Sequence, residues 1–207
     1  MTITINREAL RPGLELHQRG TSRFARLIRW ALDRFMRKFC ERNHIPVVKV
    51  WGNHDGIFIK QGERWYIGEA LGRGNVLTPI EEYEASVSAG KEEIRIFEVI
   101  GASVMEGILA QGNWLNHVKG ARYDYWAIIC LGLKALFLDI SDRVAHSKVR
   151  RFCTESVAES WERVRTVFQC RHALPLTVEQ VAGLLPRKPE IVTTLREITG
   201  SVIIVVD

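Results

Sequence analysis

The sequence predicts an α+β fold, with a small, largely antiparallel sheet packed against several helices. Two observations predict it. Strand-like runs at 47–60 and 64–71 flank Gln61-Gly62-Glu63, a turn signal, and so read as a hairpin. Apolar residues also recur at three- and four-residue steps through 22–40 and 154–168, the spacing of amphipathic helices.

Taken in order, residues 9–17 read as a short entry strand. Thr21 or Ser22 can cap a helix reaching about residue 40, whose stripe is Phe24, Leu27, Ile28, Ala31, Leu32, Phe35, Met36 and Phe39. The hairpin follows, and Gly72, Gly74 and Pro79 then break the chain. Residues 94–100 alternate as a third strand. Residues 102–118 read as helix despite Gly107 and Gly112. Residues 125–140 are an apolar helix expected to be buried. The helix at 154–168 carries Val157, Trp161, Val164 and Phe168 on one face. Thr177 and Gln180 form a capping box for a short helix ending at Pro186, and 201–206 reads as a buried terminal strand.

The 207 residues suit one domain spanning 1–207, with the basic amphipathic helix at about 22–40 as its N-terminal elaboration. Six Trp, eight Phe and four Tyr supply a core and argue against disorder. Four Cys are too few for a disulfide scaffold, so reduced thiols are expected. The N-terminus lacks an apolar signal-like run, and the longest apolar stretch, broken by Lys134, is too short to span a membrane. A cytoplasmic protein is expected. The net charge of +5 is local: 19–42 holds eight Lys/Arg against Asp33 and Glu41.

Three sets of residues could carry chemistry. If the hairpin turn centres between Gln61 and Gly62, His54 faces Glu69 across the ladder. A carboxylate there fixes the imidazole tautomer and stabilises the imidazolium. The competing reading is a charge pair on a solvated face. Cys153 sits at a predicted helix start, where unpaired N–H groups favour a thiolate, and Arg150 and Arg151 add positive charge. Its competing reading is an inert core thiol. Together, a Cys at a helix start and a His–Glu pair on a hairpin are the parts of a thiol hydrolase of the papain type.

The order His then Cys, reversed relative to papain, resembles the circularly permuted NlpC-type, papain-like cysteine hydrolases. Three blocks covering about 47–160 carry the resemblance. Asn53-His54-Asp55-Gly56-Ile57-Phe58-Ile59 is similar to the family's His-x-Gly-Ile strand. Tyr66-Ile67-Gly68-Glu69-Ala70, then Gly72-x-Gly74 and Thr78-Pro79-Ile80, is similar to its second strand. Tyr123-Asp124-Tyr125 with Phe152-Cys153-Thr154-Glu155-Ser156-Val157 is similar to its Tyr-Asp-Tyr segment and nucleophile helix. Two departures stand out: Pro12-Gly13-Leu14-Glu15-Leu16 matches the family's Gly-Asp-Leu strand loosely, and Thr154 replaces a Ser.

The resemblance implies a permuted papain-like sheet or half-barrel, with Cys153 as nucleophile, His54 as general base and acid, and Glu69 as the orienting acid. Amide cleavage, of a peptide or isopeptide, would pass through a thioester. The tetrahedral oxyanion needs two donors: the Cys153 backbone N–H is one, and Tyr123, Asn53 and His17 are candidates for the other. Cell-wall peptide and acyl lipid are further candidate substrates, the latter for a hydrolase or an acyltransferase. No cofactor or metal is expected, since the six His are scattered and no HExxH or CxxC occurs. The contrasting class is a non-enzymatic binding module, in which Arg23, Arg26, Arg29, Arg34 and Arg37 meet an anionic membrane. Nucleic acid is the less expected partner. The bland expectation is that the helix stripe packs on the sheet and its arginines are solvated.

Overall fold

The computed structural model describes residues 2–42, 44, 51–125, 150–151, 153–162, 164 and 195–206. It is α+β, with antiparallel sheets and several helices. The strands are β1 (Thr2–Ile5), β2 (Glu15–Gly20), β3 (His54–Gln61), β4 (Arg64–Leu71), β5 (Gly74–Pro79), β6 (Glu92–Val99), β7 (Arg122–Tyr123), β8 (Arg150–Arg151), β9 (Leu195–Glu197) and β10 (Ile203–Val206). The helices are α1 (Arg23–Arg42), α2 (Ile80–Ser88), α3 (Val104–Asn113), α4 (Cys153–Glu162) and the short α5 (Thr199–Val202), with a π-helical turn at Trp114–Val118 after α3. The principal sheet has the order β5-β4-β3-β2-β6-β9, antiparallel throughout. β1 pairs with β10, and β7 with β8 in parallel.

β3 lies inside this sheet, and its residues His54 to Ile59 are all buried. Alternation sends Phe58 to one face and Ile57 and Ile59 to the other. Phe58 joins Leu16, Ile67, Ile80, Tyr83, Ile94 and Ile96 in one cluster. Ile57 and Ile59 join Val99, Ala110, Trp114, Val118, Val157 and Trp161 in a second, which seats α3 and α4. Gly68 makes this second cluster fit: a Cβ there would lie 2.8 Å from the Trp114 ring. Gly107 does the same for α3, whose backbone approaches Pro12 and Gly13 with no room for a side chain. Buried Glu98 on β6 pairs with both Arg11 and Arg196, tying the approach to β2 and the β9 edge to the sheet.

Several elements differ from the sequence expectation. The entry strand begins at Glu15, later than residue 9, because the chain turns through Pro12 and Gly13, the latter at φ 84°. β3 begins at His54; residues 51–53 are not strand, and 45–50 lie outside the described residues. The Gly72-Arg73 pair is a two-residue turn into β5, so Gly74 and Pro79 bound a strand where a break was expected. Pro79 then opens α2, unexpected from the sequence, by occupying its N-cap. The terminal strand shortens to β10, with Ile204 and Val205 exposed. On α1, capped by Ser22 Oγ accepting from the Ala25 N–H at 3.1 Å, Ala25 and Leu32 are buried but Phe24, Leu27 and Trp30 are exposed. The expected packing of the whole stripe on the sheet therefore does not hold. The helices expected at 125–140, beyond Tyr125, and at 177–186 lie outside the described residues, as do 165–168 of the helix expected at 154–168.

Candidate functional site

Strand β3 delivers His54 and strand β4 delivers Glu69. Hairpin register decides how they meet. Gly62, at φ 60°, and Glu63 form a two-residue turn, so Gln61 pairs with Arg64 and Gly56 with Glu69. The expected direct facing of His54 and Glu69 is therefore corrected: His54 pairs with Gln18 on β2, and Glu69 lies diagonally from it on the same face. The gap closes because the intervening residue is Gly56. A Cβ there would lie 3.5 Å from Glu69 Cβ and collide with Ile67. With no side chain between them, His54 Nε2 and Glu69 Oε2 approach to 2.5 Å.

Tyr83 on α2 completes the carboxylate's environment. Its hydroxyl donates to Glu69 Oε2 at 2.6 Å, and both side chains are buried. Sequence reasoning missed Tyr83, since it lies on a helix, Ile80–Ser88, in a stretch where no element was expected. Burial and the Glu69 charge push the Tyr83 phenol well above its usual value, so it remains a donor. Burial alone would raise Glu69, but His54 and the donated hydrogen bonds outweigh it and hold the carboxyl below its usual value.

Cys153 is the first residue of α4, is buried, and packs with Ala70 of β4 and with Tyr123. Its thiol hydrogen-bonds the His54 side chain. Burial opposes a charged imidazole at His54, but the Cys153 and Glu69 contacts on either side prevail and raise it well above its usual value. α4 is held in place one turn beyond the thiol. Buried Ser156 donates to Asn75 on β5, and Asn75 Nδ2 donates to the Ala121 carbonyl at 3.1 Å.

The three candidate oxyanion donors separate. Tyr123 lies against Cys153, and burial with the nearby Cys153, Tyr125 and Asp124 charges raises its phenol, keeping it protonated. Asn53 is anchored through its Oδ1, which accepts from the Gly20 N–H at 2.9 Å. His17 pairs across from Asp55, one position out of phase with His54, and sits between Glu15 and Asp55 at 3.6 Å from each. Its ring also packs on Phe97.

No protein-family model matches the chain, and no curated protein matches it. Among solved structures, the chain is similar to the metalloprotein yiiX from Escherichia coli O157:H7, with a TM-score of 0.52 and 17% identity over 91% of this chain and 96% of that one. At that identity the likeness concerns the fold alone. Among the described residues, no group of three or more His, Cys, Asp or Glu side chains is placed to hold a metal ion. No described helix is long and apolar enough to cross a membrane.

Proposed function

We propose that this chain is a papain-like thiol hydrolase of the permuted NlpC type that cleaves an amide bond, peptide or isopeptide, through a thioester. One observation carries the reading: a buried imidazole held between a carboxylate at 2.5 Å and a thiol at the first residue of a helix. A solvated charge pair would not be buried, and an inert core thiol would not touch a histidine so oriented.

In the proposed reaction Cys153 Sγ, as thiolate beside the His54 imidazolium, attacks the substrate carbonyl carbon. The developing oxyanion sits at the N-terminus of α4, where backbone N–H groups lack helical partners. The protonated Tyr123 hydroxyl is the second donor. His54 passes its proton to the leaving amine as the C–N bond breaks, which leaves the acyl group on sulfur. Neutral His54 then takes a proton from water, whose oxygen attacks the thioester, and the thiolate leaves with the carboxylic acid product. Glu69, steadied by Tyr83, fixes the ring orientation and stabilises the imidazolium in both halves.

Acyl-lipid hydrolysis or acyl transfer on the same residues is the second reading, favoured by the exposed apolar residues of α1. The test is a panel of peptide, isopeptide and acyl-lipid substrates, with mass spectrometry of the intact chain. The expected result is a hydroxylamine-sensitive acyl adduct on Cys153 with one class, absent in Cys153→Ala. Turnover that survives in Cys153→Ala would overturn the proposal.

A further inference from the structure

We infer that α1 is a docking surface for an anionic lipid bilayer, lying in the headgroup plane with Phe24, Leu27 and Trp30 inserted. How the helix is mounted sets which side faces out. Ala25 packs on Gly20, where an added Cβ would lie 2.9 Å from the Ala25 Cβ, and Arg29 donates to the Gly20 carbonyl at 2.9 Å. Leu32, two turns beyond Ala25, is buried along the same side. This attachment turns Phe24, Leu27 and Trp30 outward at 66%, 57% and 48% exposure.

Charge identifies the partner. Arg23 stands four residues before Leu27, and Arg26 four before Trp30, so each basic side chain neighbours an exposed apolar one. Arg34, four residues after Trp30, places its guanidinium 5.9 Å from the indole ring. Apolar side chains flanked by long cationic ones, with a Trp among them, suit an interface where rings enter the acyl boundary and guanidinium groups remain among phosphates. A second exposed apolar strip, Val104, Met105, Ile108 and Leu109 on α3, supplies the contrast. Helix α3 has no basic residue and carries Glu106, so nothing there would draw an anionic surface.

This inference is independent of the thiol chemistry and holds equally for Cys153→Ala. The test uses the full chain and vesicles of phosphatidylcholine, alone or with roughly 30% phosphatidylserine, read by co-sedimentation. Binding to the anionic vesicles is expected to be at least about tenfold tighter and to weaken as salt rises. Phe24→Ser, Leu27→Ser and Trp30→Ser combined should abolish it, as should Arg23→Glu with Arg26→Glu, at unchanged circular dichroism. Brominated acyl chains should quench Trp emission of the unmodified chain in anionic vesicles only, a readout that needs no variant. Equal partition into both vesicle types, or no binding to either, would overturn the inference. So would duplex DNA binding unchanged by the three Ser substitutions, or a dimer that those substitutions dissolve.

Discussion

Glu69 makes two close contacts at once, with the His54 imidazole at 2.5 Å and the Tyr83 hydroxyl at 2.6 Å. Each partner depends on the carboxylate being charged. Removing one member of a buried ion pair strands the other, so Glu69→Gln should cost about 3 kcal/mol, measured by chemical denaturation. The pH dependence has a definite sign. His54 is raised above its ordinary 6.5, so its contribution is complete below that value and is lost as pH rises through the folded value. Glu69 is lowered from 4.5, so its contribution is complete above that value and is lost as pH falls through the folded one. The stability gap between wild type and Glu69→Gln should therefore be widest between pH 4.5 and 6.5 and narrow on both sides. Tyr83→Phe removes a single neutral donor and should cost about 1 kcal/mol, with a loss of activity smaller than that of Glu69→Gln. The pair itself was legible in the hairpin sequence although its register was not. Placing the turn on Gly62-Glu63 moves Glu69 opposite Gly56, two residues from His54. An even displacement keeps both side chains on one face, whereas an odd one would have separated them.

At the scale of elements, packing of α4 on the sheet decides where the thiol lies. Trp114 and Trp161 fill the space beneath it, and Gly68 leaves room for the Trp114 ring. Gly68→Ala would force its methyl to within 2.8 Å of that ring, and should cost about 1–3 kcal/mol in stability. Asn75→Ala would remove the bond between the Cys153 helix and β5 that Ser156 makes, and should lower turnover more than substrate affinity, because it loosens the helix that aims Cys153. Amphipathic period revealed α1 and α4 in the sequence, since spacing depends only on local geometry. It could not show which part of the α1 stripe meets the body, because that depends on Gly20 and Ala25 meeting in space. Helix α2 was hidden behind Pro79 read as a breaker, although proline at a helix start costs nothing. Ser103 and Glu106 form a full capping box at α3, a signal that stood unread in the sequence.

At the scale of the molecule, one antiparallel sheet of six strands brings together residues far apart in the chain. His54 and Glu69 come from one hairpin, Tyr83 from the helix after it, and Cys153 from a helix some 70 residues later. Local patterns predicted the hairpin and the helix start separately; what joined them was the chemistry that a Cys and a His–Glu pair perform together, because sequence spacing carries no information on a contact made in space. The central claim is that Cys153 and His54 act as one unit. The most direct measurement is the rate of iodoacetamide alkylation of Cys153 against pH, read by mass spectrometry, in wild type and His54→Ala. Wild type should be alkylated at about pH 6 at least roughly tenfold faster than His54→Ala. Identical pH profiles in the two proteins would contradict the coupling of thiol and imidazole, and with it the proposed hydrolase.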